Sequence, residues 1–192
     1  MIAGQGDLRV SHRGETFGSI WAMTSGVHPA SLSVEALQAE CEVTRTRRSG
    51  PGGQNRNKVE TAIVLKHRPT GLIAEANERR SQGENLQVAL HRLRLTLARE
   101  VRHPVPPDGP VSAVWKKYLR GDRISINNVN PDFPTVIAEA LDQVEAAELD
   151  VRAAAERLGC STSQLTKLLK IEPKVFVHVN ARRSEAGLRP LL

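Results

Sequence analysis

The densest chemistry in the sequence lies in Ser49-Gly50-Pro51-Gly52-Gly53-Gln54, which runs on into Asn55-Arg56-Asn57-Lys58. Between Arg48 and Arg56 there is no Cys, no His and no carboxylate. Ser49 has no local base, so a covalent mechanism of the Ser-His-Asp type has no support. What the segment offers is backbone. Gly52 and Gly53 can take φ/ψ values closed to other residues and allow a substrate to approach closely. A backbone N–H held there can stabilise the oxyanion of a tetrahedral intermediate, an effect worth about 3–4 kcal/mol per donor. Gln54 adds a neutral amide that can position or exclude water without acting as a strong base. Glycine-rich triplets are frequent in ordinary turns, so the surrounding sequence has to decide the matter.

The elements that must hold this segment can be read on either side of it. Residues 41–47 alternate Cys41, Val43 and Arg45 against Glu42, Thr44 and Thr46, a strand pattern. Residues 55–60 have room for one helical turn, and residues 61–67 read as a second strand. Arg68-Pro69-Thr70-Gly71 is a turn and residues 72–76 a returning strand. A long helix is expected over 83–101, with Leu86, Leu90, Leu93, Leu97 and Val101 forming one apolar stripe and Ala89 beside it. Ser31 or Ser33 caps a short helix ahead of the first strand. The expected fold is α+β: a three- to four-stranded, mainly antiparallel sheet with one long helix across a face, followed by a small helical module.

Charge is concentrated in the same region. The chain of 192 residues carries a net charge of +6, and residues 42–103 alone carry +7, mostly as arginine. Arginine suits bidentate phosphate contacts, so a nucleic-acid partner is favoured over a merely solvated basic face. Hydrophobic residues make up 40% of the chain and aromatics only 3%, so Leu, Val, Ile and Ala must fill the core. No run approaches the ~18 apolar residues of a membrane span. The first residues lack an apolar signal core, and Asp7 and Glu15 are foreign to import peptides. The expected location is the cytoplasm, without a membrane partner. Cys41 and Cys160 match no zinc pattern and no disulfide framework, and read as free buried thiols.

Three ordered motifs carry a resemblance. Arg47-Arg48-Ser49-Gly50-Pro51-Gly52-Gly53-Gln54-Asn55-Arg56-Asn57-Lys58-Val59-Glu60-Thr61-Ala62-Ile63 resembles the signature of class I peptide chain release factors. His67-Arg68-Pro69-Thr70-Gly71-Leu72 resembles that family's next hairpin, and Glu78-Arg79-Arg80-Ser81-Gln82-Gly83-Glu84-Asn85 the start of its long helix. The sequence departs from the family pattern in Arg48, Pro51, Asn55 and Arg56.

The resemblance implies hydrolysis of the ester between peptide and tRNA in the peptidyl-transferase centre of the ribosome, with no cofactor and no metal. Gln54 would be the catalytic glutamine, with Gly52 and Gly53 setting its geometry. Its backbone N–H would meet the developing oxyanion and its side chain would order the attacking water. Arg47, Arg48, Ser49, Gly50, Asn55, Arg56, Asn57, Lys58, Arg80, Ser81, Gln82 and Asn85 would contact 23S-type ribosomal RNA and tRNA or shape the loop. Gln54 would also be the target of a glutamine methyltransferase acting at N5. Only about 40 residues precede the first strand, too few for a codon-reading region, so the resemblance points to the short, codon-independent relatives that rescue stalled ribosomes. Those relatives commonly end in a basic tail. Residues 104–192 instead hold 12 basic and 11 acidic residues and look folded.

The expected organisation is a flexible leader over 1–29, the hydrolase domain over 30–103, a linker and junction over 104–133, and a helical module over 134–192. The chain is expected to be a monomer. Residues 103–110 hold four prolines and cannot be helical. Residues 123–129 suggest a short strand. Trp115-Lys116-Lys117-Tyr118 suits either stacking on RNA or packing at the domain junction. Pro134 suits the first turn of a helix, Gly159 stops a second, Ser161 or Ser163 caps a third and Pro173 opens a fourth. Residues 153–165 look like a helix-turn-helix exposing Thr162, Gln164 and Lys167, or else part of a plain helical bundle. Two competing functions remain in view. One is a ribosomal-RNA-binding module that has lost hydrolysis, and the other is a helix-turn-helix DNA-binding regulator.

Overall fold

The computed structural model describes residues 26–46, 61–106 and 109–192. The fold is α+β. A short 3-10 turn, Pro29–Ser31, leads into helix α1, Val34–Ala39, whose first turn is capped by Ser33 Oγ accepting from Ala36 N–H at 3.2 Å. Three antiparallel strands follow: β1, Cys41–Thr46; β2, Ala62–His67; and β3, Ile73–Ala76. Their order is β1-β2-β3, with Cys41 opposite His67, Thr46 opposite Ala62, and Ile63 opposite Ala76. Gly71 turns the second hairpin at φ 72, a left-handed value that a Cβ would strain, and its N–H donates to His67 O at 2.7 Å.

The long helix α2, Gln82–Glu100, lies against β2 and β3. Its buried face is Ala89, Leu90, Leu93, Leu97 and Ala98, closed at one end by Val101, while Leu86 is only partly buried. Asn85 also falls on this face. His67 is fully buried beneath the sheet's end, bonded through Nε2 to Glu40 Oε2 at 2.9 Å and through Nδ1 to Thr70 Oγ1 at 2.8 Å. These bonds tie the second hairpin's turn to the end of α1.

The core does not stop at residue 103. Helix α3, Ala113–Tyr118, is followed by two strands of two residues, β4, Leu119–Arg120, and β5, Arg123–Ile124. The strand expected over 123–129 is thus cut to two residues. Gly121 at φ 61 makes the hairpin turn, and a turn closed by Asn130 N–H on Asn127 O takes over after Ile126. Trp115 is fully buried, and its Nε1–H donates to Leu158 O at 2.9 Å. The hydroxyl of Tyr118 donates to Asp132 Oδ2 at 2.8 Å. The pair therefore packs at the junction, and burial removes Trp115 from any stacking on RNA.

Four helices complete the chain: α4, Phe133–Ala146; α5, Val151–Leu158; α6, Thr162–Ile171; and α7, Pro173–Glu185. Asp150 caps α5 by accepting from Arg152 N–H and Ala153 N–H, and Gly159 ends it at φ 69. Ser161 stands at the N-cap of α6 without a side-chain cap bond, its Oγ lying instead beside Ser163 Oγ. Helix α4 packs on α2, and one continuous apolar core runs from Leu65 and Leu93 through Phe133 and Ile137 to Leu158 and Leu165.

Arg94 reinforces that join with its planar donor fork. It donates to Ala30 O at 3.0 Å, Leu32 O at 2.7 Å and Pro131 O at 3.3 Å. Cys41 and Cys160 are free and buried, and burial pushes the Cys160 thiol up to about 11. Among the described residues no helix is long and apolar enough to cross a membrane.

Candidate functional site

The pairing of Thr46 with Ala62 defines the site's base. Strands β1 and β2 end and begin side by side, so residues 47–60 leave and return at adjacent positions of one sheet. Directly opposed residues in an antiparallel pair lie only ~5 Å apart. Arg47, Arg48, Ser49, Gly50, Gly52, Gly53, Gln54, Asn55, Arg56, Asn57 and Lys58 lie outside the described residues, as does the helical turn expected over 55–60.

Next to that base stands the start of α2. Asn85 is fully buried in its first turns. Its Nδ2 donates to Thr61 O at 2.6 Å and to Arg79 O at 2.9 Å, while Oδ1 accepts from Arg79 N–H at 2.9 Å. One amide thus joins the residue before β2 to the segment before α2. A buried side-chain amide with three hydrogen bonds is costly to disturb, because each partner would be left without a bond away from water. Asn85 is thus spent on bonds inside the protein, to Thr61 and Arg79.

The other expected residues of this segment face solvent. Arg80, Ser81 and Gln82 are exposed, with Ser81 at the N-cap position of α2 making no side-chain cap bond. Arg79 and Arg45 are exposed as well, and Arg45 sits one residue from the end of β1. Arg92, further along α2, is exposed but engaged, donating to Glu75 O at 2.8 Å and pairing with Glu78. The described end of the sheet therefore presents the exposed cations Arg45, Arg79 and Arg80 around a base fixed by Asn85. Such a surface attracts phosphate groups. Among the described residues no three His, Cys, Asp or Glu side chains gather as metal ligands do.

The buried amide of Asn85 was legible in outline only. It falls four residues before Ala89, on the apolar stripe of α2, and a polar residue at such a position signals an internal bond. Nothing in the sequence says that the bond reaches Thr61. Arg94 was masked in the same way, as one arginine among many in a basic region.

Comparison with known proteins finds similarity over part of the chain. The RF-1 domain family model matches residues 30–108. The chain is 36% identical over 97 residues to the chloroplastic peptide chain release factor PrfB1 of Arabidopsis thaliana, an overlap of 49% of this chain and 19% of that protein. It is 29% identical over 127 residues to peptide chain release factor 2 of Variovorax paradoxus, covering 63% of this chain and 35% of the relative. Against peptide chain release factor 1 of Frankia casuarinae the identity is 26% over 165 residues, 74% of this chain and 46% of the relative. The chain spans less than half the length of each of these relatives. Residues 30–108 thus match the RF-1 domain, and that part of the chain is similar to class I peptide chain release factors.

Proposed function

We propose that this protein hydrolyses peptidyl-tRNA on the ribosome and does so without reading a codon. The reading rests on one observation above the rest. The Gly52-Gly53-Gln54 sequence is intact, and it lies between two strand ends that pair at Thr46 and Ala62 inside the matched family domain. In this reading the loop enters the peptidyl-transferase centre. The backbone N–H of Gln54 meets the oxyanion as water attacks the ester carbonyl, and its side-chain amide orders that water. Glycine at 52 and 53 lets the backbone approach the tRNA terminus without a Cβ in the way.

The supporting residues divide by role. Arg47, Arg48, Ser49, Gly50, Asn55, Arg56, Asn57 and Lys58 flank the reactive amide and contact ribosomal RNA and tRNA. Arg80, Ser81 and Gln82 do so from the start of α2. Asn85 holds the base. Gln54 is also the site at which a glutamine methyltransferase would act. The protein works as a cytoplasmic monomer, with residues 30–103 as the catalytic unit, 104–133 as the junction and 134–192 as a helical module.

The test is single-turnover peptide release from stalled ribosome complexes, with and without mRNA beyond the P site. Wild type is compared with Gln54→Ala and Gly53→Ala. Gly53→Ala disturbs the geometry of the oxyanion donor and is expected to slow release roughly 100-fold. Gln54→Ala keeps the backbone N–H and tests the side-chain amide that orders water. Release in the wild type is expected to be unaffected by the codon. Ribosome binding without release in the wild type, whether or not Gln54 is methylated, would leave a docking module and remove the hydrolase.

A further inference from the structure

Two grooves flank the loop over residues 124–130, and their chemistry differs. The larger, about 620 Å³, lies between β3, α2 and the start of α7. Its lining includes Glu75 and Glu172. The guanidiniums of Arg92 and Arg99 there are already paired, with Glu78 and Glu100. With Lys174 beside these groups its lining mixes both signs of charge, and it recommends no particular ligand.

The smaller, about 370 Å³, lies between the loop and α6 and has no carboxylate in its lining. Ile124, Ile126, Leu168 and Ile171 give it aliphatic surface. Asn127, Gln164 and Lys167 give it polar groups, and none of these three side chains has a hydrogen-bond or ion-pair partner among the described residues. The cleft wall is also fixed in place. Ser125 N–H donates to Tyr118 O at 3.0 Å, and Asn130 Oδ1 accepts from Asp132 N–H at 2.9 Å.

We propose that this cleft binds a single-stranded RNA segment, one unstacked base at a time. The aliphatic residues receive the face of the base. Asn127 and Gln164 each carry both a donor and an acceptor, which is what the edge of a nucleobase requires. Lys167 supplies the cation for the neighbouring phosphate. A cleft of this size suits a small ligand group rather than a folded surface.

Elsewhere on α6, Thr166 Oγ1 donates to Thr162 O at 2.9 Å, and Ser163 Oγ lies 3.2 Å from Ser161 Oγ at the N-cap. Sequence-specific recognition of RNA acts chiefly on bases splayed out of a helix. The site lies outside residues 30–108, so it stands apart from the hydrolase reading.

The experiment uses the full chain and a short oligouridylate carrying 4-thiouridine. Binding is followed by fluorescence anisotropy, crosslinks are mapped by mass spectrometry, and thermal melts confirm that each variant is folded. Crosslinks are expected on residues 124–130 and on α6. The double variant Asn127→Ala/Gln164→Ala should bind roughly tenfold more weakly, and Lys167→Ala should also lower the salt slope by about one. Lys170→Ala, outside the cleft lining, should change little, and Gln54→Ala should leave binding intact whatever it does to peptide release. Crosslinks confined to residues 30–103, with cleft variants binding as wild type, would overturn the proposal. So would equal competition by duplex DNA with Lys170→Ala as the most damaging change.

Discussion

The sheet-and-helix region over 30–103 and the helical region over 133–192 share one apolar core but are held in different ways. The first depends on buried polar ties: Asn85 to Thr61 and Arg79, His67 to Glu40, and Arg94 to Ala30 and Leu32. The second depends on apolar helix faces with local caps, such as Asp150 on α5 and Gly159 at its end. In the sheet region the polar ties sit at both ends: Asn85 holds the end where β1 and β2 pair at Thr46 and Ala62, and His67 holds the opposite end, where it pairs with Cys41. The helical region relies more on its apolar faces, with Asp142 as its buried polar tie to Arg102 and His103 N–H.

The largest effect should come where the two regions meet. Trp115→Ala empties a fully buried indole site and orphans Leu158 O, and a loss of about 3–5 kcal/mol is expected. Denaturant unfolding should show one transition displaced as a whole. Two separated transitions in the wild type would break the picture of a shared core.

Asn85→Ala should cost about 1–3 kcal/mol, because three partners are left unbonded away from water. Peptide release should fall with it, while the salt dependence of ribosome binding stays that of the wild type. Arg80→Ala should do the reverse, weakening binding most at low salt with little change in melting temperature. If Asn85→Ala altered the salt dependence and left stability alone, its role would be contact with RNA after all.

A smaller effect should appear on acidification. Burial lowers the His28 imidazole to about 4, with its Nδ1 accepting from Ala30 N–H and its Nε2 bonded to Val101 O. Because the folded value lies below the ordinary 6.5, the neutral ring contributes stability above that pH. The contribution is lost as pH falls from about 6.5 towards about 4. Burial of Asp142 acts oppositely, raising its carboxyl to about 7 against the pull of Arg102, so acidification in that range favours the fold there. Melting curves of His28→Gln beside wild type isolate the histidine. The wild type should lose more stability than the variant between pH 7 and pH 5, and parallel curves would remove His28 from the account.

The smallest change belongs to the exposed pair of Arg152 and Glu156 on α5. Arg152→Ala should shift stability by less than about 0.5 kcal/mol, and the shift should vanish in salt. A larger loss would mean that surface charge holds the helical region after all.

Much of this was written in the sequence. Apolar spacing at three and four placed α2 to within a residue of its observed start and end, because one stripe must face one sheet. Gly71, Gly159 and Pro173 marked their turns and helix ends because φ restricts what can stand there. The glycine-glycine-glutamine segment and its flanking strands were legible as an ordered motif, and the family match covers that region. Only the tertiary structure decided between alternatives that local pattern leaves equal. It buried Trp115 against Leu158, turned Asn85 inward to Thr61 and bound Arg94 to three carbonyls. It also set Asn127 across a cleft from Gln164 and Lys167. The physical reason is range. Periodicity and capping act within a few residues of chain, whereas the partners of a buried amide, indole or guanidinium come from segments brought together only when the core closes.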